Sequence, residues 1–120
     1  MKFGNLSPSE LKLLRVIWES EPLRSGALAA VCLEKFGWKK STVYTILKNI
    51  CDAGFVRNEN GTVSSLVSEK DYLHGIASEF VGEHFGSSLP DFIAAFLDGK
   101  HMSRDRIIEC YDKVKKYREE

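Results

Sequence analysis

Three apolar-striped segments with readable helix ends, an Asn-Gly turn between two short β-prone runs directly after them, and three more striped segments predict a mainly α chain. The order of the first four elements is that of a winged helix-turn-helix, three helices plus a β-hairpin wing. The three striped segments after the wing predict a helical dimerisation region. The expected boundary falls at residue 70, with the winged domain over 1–70 and the dimerisation region over 71–120. At 120 residues and 43% apolar content the chain can bury one small core.

Ser7-Pro8-Ser9-Glu10 reads as a helix start: Ser7 caps, Pro8 sits at the first helical position where its missing N–H costs nothing, and Glu10 reaches back as a capping box. This helix should run to about Ser20 with Leu11, Leu14, Ile17 and Trp18 inward. Pro22 breaks it. Ser25 then opens a second helix that ends near Phe36 with Gly37 as a left-handed stop, and Ala27, Ala29 and Ala30 permit a close crossing. In the third helix Val43, Ile46, Leu47 and Ile50 recur at i, i+3, i+4 and i+7, Ser41 is the expected cap, and Gly54 stops it. Phe55 to Glu59 and Thr62 to Val67, joined by Asn60-Gly61, form the expected hairpin.

A capping pattern at Ser68-Glu69-Lys70-Asp71 opens a fourth helix, reaching about Phe85, with Leu73, Ile76, Ala77, Phe80 and Val81 on one side and Gly86 as its stop. Pro90 lies in the first turn of a fifth, where Leu89, Phe92, Ile93, Phe96 and Leu97 share a face and Gly99 closes it. Ser103 caps a sixth carrying Ile107, Cys110, Tyr111, Val114 and Tyr117. Three amphipathic helices after a complete winged domain have to bury their stripes. Phenylalanines of ~150–250 Å² each make too large a bare patch for a monomer. A second copy of the chain is the expected cover, through Leu73, Ile76, Phe80, Phe92, Ile93, Phe96, Tyr111 and Val114; the alternative is that these helices fold back on their own winged domain.

The net charge is zero, which argues against avid, non-specific binding to nucleic acid. The average hides an asymmetry: residues 1–70 hold ten Lys/Arg and seven Asp/Glu, residues 71–120 seven and ten. Any DNA contact therefore falls to the N-terminal part. There the third helix turns Thr42, Tyr44, Thr45, Lys48 and Asn49 away from its apolar stripe, as a recognition helix would, although an ordinary amphipathic helix with a solvated face has the same pattern. Lys39, Lys40, Lys48 and Arg57 are the residues expected near phosphates, and the free N–H groups at Ser41 and Thr42 suit an anion. Threonine methyls suit the thymine methyl and Asn49 suits adenine, at about 1–3 kcal/mol per good pair. Thr45 can instead bond back into its own helix.

Three stretches, LSPSELKLLRVIWESEPL, WKKSTVYTILKNICDAGF and LVSEKDYL followed by FGSSLPDFIAAFLDG, resemble the penicillinase and methicillin-resistance repressor family of bacterial transcription regulators. The resemblance runs from about Leu6 to Lys116. It implies a homodimeric winged-helix repressor on a palindromic double-stranded DNA operator, relieved in some members when a membrane-linked sensor pathway triggers cleavage in the dimerisation region. Thr42 and Thr45 match family threonines, and Ser41 stands where lysine is common. Lys39 and Lys40 replace serine and proline, Asn49 replaces a frequent arginine, and Asp52-Ala53 replace a basic pair. The wing also lacks the family's Arg-x-Tyr-x-Tyr stretch. At the cleavage position Ala95-Phe96 aligns with an Asn-Phe bond, so only the phenylalanine is retained.

Other classes fare poorly. His74, His84 and His101 are scattered without metalloprotease spacing, and there is no serine-centred elbow or Gly-rich phosphate loop, so no enzyme, cofactor or small-molecule substrate is expected. Cys32, Cys51 and Cys110 are odd in number and widely spaced, which predicts buried reduced thiols rather than disulfides or a metal site. The polar N-terminus, interrupted by Pro8, predicts a cytoplasmic protein, and no window reaches the ~18 apolar residues of a membrane span. The rival from another class is a winged domain that has lost basic groups and packs on a partner protein instead of DNA.

Overall fold

The computed structural model describes residues 2–118; Met1, Glu119 and Glu120, at the outer ends of the two expected regions, lie outside the described residues. After a single 3-10 turn at Phe3–Asn5 come α1 (Pro8–Ser20), β1 (Leu23–Arg24), α2 (Ser25–Phe36), α3 (Lys40–Asp52), β2 (Val56–Glu59), β3 (Thr62–Ser65), α4 (Glu69–Phe85), α5 (Leu89–Leu97) and α6 (Arg104–Val114), with a last 3-10 turn at Lys115–Tyr117. The fold is mainly α with a small antiparallel sheet, as the sequence predicts. The sheet has a third strand, in the order β1-β3-β2, because Leu23 and Arg24 pair with Val63 and Thr62. A two-residue strand carries no periodic signal, so only the pairing reveals it.

Local chemistry accounts for most of the ends. The Ser7 side chain accepts from Glu10 N–H and Glu10 accepts from Ser7 N–H, a complete capping box. Ser68, Ser88 and Ser103 cap α4, α5 and α6 by accepting from the N–H three residues on. Gly37 and Gly86 end α2 and α4 at φ of 69° and 55°, where a side chain would be strained. Asn60 and Gly61, both at positive φ, make the wing turn. The expectation that Ser41 caps α3 is corrected: Lys39 is the N-cap, without a side-chain bond, and Ser41 lies inside the first turn. β3 stops at Ser65, short of Val67, because Leu66 and Val67 both turn their N–H groups to Phe55 C=O.

One core joins α1, α2, α3 and the wing. Leu13, Leu14 and Ile17 meet Leu28 and Cys32, then Val43, Leu47 and Ile50, with Phe55, Val56 and Val63 beneath the sheet. Each large apolar side chain so buried contributes about 1.5–3 kcal/mol relative to exposure. α1 turns a broader face inward than its expected stripe: Leu13 and Val16 are buried, whereas Leu11 and Trp18 are half-buried at the margin. Tyr72, from the second turn of α4, closes the core against Trp18 and Phe55. Trp18 Nε1 also donates to Val67 C=O at 2.9 Å, fastening α1 to the lead-in of α4.

Beyond Tyr72 none of the described residues is buried. The Cα radius of gyration is 18.1 Å, against ~13.6 Å for a compact chain of this length. α4 to α6 therefore do not fold back onto the winged domain. Among the described residues no helix is long and apolar enough to cross a membrane.

Candidate nucleic-acid interface

α3 is held from one side only. Val43, Leu47 and Ile50 are buried, Ile46 is half-buried, and Thr42, Tyr44, Thr45, Lys48 and Asn49 are all exposed on the opposite face. Lys39, Lys40 and Ser41 are exposed at its start and Arg57 is exposed on the adjacent wing strand β2, so every residue singled out from the sequence reaches solvent. The Phe36 and Trp38 rings, 4.6 Å apart, fill the corner between α2 and α3 and set the turn.

Within this face several side chains already have partners. Lys40 Nζ lies 5.6 Å from the Tyr44 ring centroid, an attraction that pre-orients both groups at the helix start. Thr45 Oγ1 donates to Ser41 C=O at 3.0 Å, the back-bond foreseen for it, and this leaves its methyl free to meet an apolar surface. Lys48 Nζ meets Asp52 at 3.2 Å and Arg57 meets Glu59 at 3.5 Å. Exposed pairs of this kind contribute about 0.2–1 kcal/mol, little enough to be exchanged for a phosphate. α2 and α3, the two helices of the helix-turn-helix, start without a side-chain cap, so the first-turn N–H groups of α3 face outward unclaimed by its N-cap.

Sequence reasoning missed Arg24. Its guanidinium donates to Asn60 C=O at 3.1 Å and to Thr62 Oγ1 at 3.3 Å, cradling the wing turn at the start of α2. Asn58 Oδ1 accepts from Gly61 N–H at 3.0 Å on the other side. The contact spans 36 residues of sequence, and no local pattern announces it.

The second candidate surface lies on α4, α5 and α6. Leu73, Phe80, Ile93, Phe96, Tyr111 and Val114 are exposed, and Ile76 and Phe92 are half-buried. Phe92 sits between Phe80 at 6.1 Å and Phe85 at 5.5 Å, and Phe80 and Phe92 with Ile76, Ala77, Val81 and Phe96 shape an open, almost wholly apolar groove of about 400 Å³. Ala95 and Phe96 are exposed but lie inside the last turns of α5.

The thiols divide the same way. Cys32 is buried and Cys51 half-buried, and burial pushes both thiols up from their ordinary range. Cys110 is exposed, which corrects the expectation that all three are buried: the apolar face of α6 that carries it is uncovered. The three histidines are at the surface, and among the described residues no group of three His, Cys, Asp or Glu side chains is placed to hold a metal.

A helix with a polar outer face, a short wing beside it and an apolar helical arm define a winged-helix regulator. The family model described as penicillinase repressor matches residues 6–116, nearly the whole chain, and the protein belongs to that family. Its members are transcriptional regulators rather than enzymes. No curated protein matches the chain.

Proposed function

We propose that this protein is a dimeric transcriptional repressor that reads a pseudo-palindromic operator through the outer face of α3, with Thr42, Tyr44, Thr45 and Asn49 toward bases. Lys39, Lys40, Lys48 and Arg57, with the helix start at Ser41, grip the phosphates. The observation that carries this reading is the division of α3, which buries Val43, Leu47 and Ile50 while Thr42, Tyr44, Thr45, Lys48 and Asn49 remain exposed beside the wing. Double-stranded DNA and a second copy of the chain are the partners, and the protein acts in the cytoplasm.

Dimerisation is supported by area. The chain exposes 8819 Å², against roughly 6,600 Å² for a compact monomer of this mass. In the arm of α4 to α6, the dimerisation region of this reading, no described residue beyond Tyr72 is buried. So few cations on one winged domain bind DNA weakly, and two recognition helices held ~34–36 Å apart multiply the affinity. Relief by proteolysis, coupled to a membrane sensor, is the finer part of the proposal. Cutting Ala95-Phe96 requires α5 to unwind first, and a nine-residue helix with no buried residue is among the easier elements to open.

The pairing of Lys48 with Asp52 and of Arg57 with Glu59 favours a second reading, a winged module that docks on protein because its cations are already neutralised. Fluorescence anisotropy decides between them, using DNA selected from random duplexes over a range of salt. Binding that weakens steeply with salt, and that fails when Phe80→Asp makes the chain monomeric, supports the dimeric repressor. No binding even at low salt overturns it. A truncation at residue 70 is the wrong probe, since it removes Tyr72 from the winged core.

A further inference from the structure

The 3-10 turn at Phe3–Asn5 has no part in α3 or the wing, yet it is bonded to α4 at several points. Phe3 N–H donates to Glu79 Oε2 at 2.8 Å and Gly4 N–H to Glu79 Oε1 at 3.1 Å, so one carboxylate takes both donors. Lys2 Nζ meets Glu83 at 2.8 Å, one turn further along. The Phe3 ring stands edge-on to Phe55 at 6.0 Å and to Tyr72 at 6.2 Å, in the aromatic cluster that closes the winged core. It also presses on Gly75 so closely that a Cβ there would clash with the edge of the ring. The grip thus falls on Tyr72, Gly75, Glu79 and Glu83, one face of α4 over three turns.

We infer that residues 2–6 form a strap that fixes the angle of α4 to the winged domain and thereby sets the half-site spacing the dimer accepts. In this role Glu79 is the positioning residue, and Gly75 gives the strap its room. The inference rests on the dimeric reading above. Without the strap, the contacts that tie α4 to the winged domain lie in its first half, at Tyr72, at Ile76 on the edge of the core and through the Trp18–Val67 bond. That is a pivot. α4 is about 25 Å long, so a 10° tilt moves its far end by about 4 Å, more than the ~3.4 Å rise per base pair. Leu73, Ile76 and Phe80, the residues assigned to the partner copy, lie on the adjacent face of α4, about 90° round the helix from that line at 3.6 residues per turn. The strap and the partner therefore hold the same helix from two sides.

The test compares full-length wild type with Gly75→Ala, Phe3→Ala and Glu79→Ala on palindromes built from the selected half-site with the spacer varied base pair by base pair. Wild type is expected to favour one spacing by roughly 10²-fold over its neighbours, since avidity is lost where both helices cannot engage at once. The variants are expected to remain dimers by sedimentation and to bind one half-site as wild type does, while their spacing preference flattens to within about threefold. Amide exchange at Phe3 and Gly4 reports that the strap has been released. Variants with the strap released that keep the wild-type spacing preference overturn the strap. A wild type that forms dimers and binds DNA but discriminates no spacing overturns it too, and a wild type that neither dimerises nor binds overturns the dimeric reading beneath it. Glu79→Ala removes a half-buried carboxylate at the edge of the fold, so it stays informative if Gly75→Ala or Phe3→Ala fails to fold.

Discussion

The two halves of this chain have helices of equal local quality and unequal burial. Ser68, Ser88 and Ser103 cap α4, α5 and α6 as Ser7 caps α1, yet among the described residues every buried one lies between Leu13 and Tyr72. In the winged half, helix ends and core specify the same fold from one sequence. In the arm the ends are specified and the core is absent from the single chain. Helices of nine and eleven residues such as α5 and α6 are marginal in water without packing, so the arm draws its stability from whatever covers it.

Core truncations should separate the halves most sharply. Ile17→Ala is expected to cost about 2–5 kcal/mol in urea unfolding, because it opens a cavity among fully buried neighbours. Ile93→Ala, on an exposed position of α5, should leave the unfolding of the winged half within about 0.5 kcal/mol of wild type. Equal losses would erase the comparison.

Phe80→Asp comes next in size. It is expected to turn the proposed dimer into a monomer by sedimentation and to abolish the rise of Tm with protein concentration that coupled assembly produces. The winged half should keep its near-ultraviolet aromatic signal, since Phe80 lies outside the core of Trp18, Phe55 and Tyr72. A dimer that survives the buried aspartate would move the interface away from the apolar groove of α4 and α5.

Lys48→Ala should have a smaller effect, weakening DNA binding and reducing the slope of log affinity against log salt by about 0.9, one phosphate contact. An unchanged slope means that Lys48 stays with Asp52 when DNA is bound.

The finest probe is thiol alkylation. The Cys32 thiol is buried and pushed up, so its thiolate is scarce at pH 8, and it should react only on global unfolding. Cys110 shares a face of α6 with Ile107, Tyr111 and Val114. It should react readily in monomeric Phe80→Asp and slowly in the dimer. Rapid reaction in both would place α6 outside the interface.

Much of this was legible in the sequence because it is local. The Ser7 capping box, the Asn60-Gly61 turn, the glycine stops at 37 and 86 and the exposed face of α3 each depend on residues within one or two turns of each other. What escaped depends on distant partners. α3 starts on Lys39 instead of a Ser41 cap, and β1 exists only because Val63 and Thr62 pair with it. Arg24 gains a role only where the chain brings the wing turn back to the start of α2. Tyr72, on a helix whose apolar stripe suggested a different face, belongs to the winged core because Trp18 and Phe55 wait there.

Capping, turn chemistry and apolar periodicity act through neighbouring residues, so the amino-acid sequence by itself determined six helices, a wing and an arm whose apolar face exceeds what one chain covers. The tertiary structure decided how those parts are tied. It set a core that ends at Tyr72, a wing braced by Arg24 and an N-terminal turn bonded to Glu79, because each of these contacts joins residues separated by tens of positions. No periodicity encodes such a contact; it exists only once the intervening chain has folded.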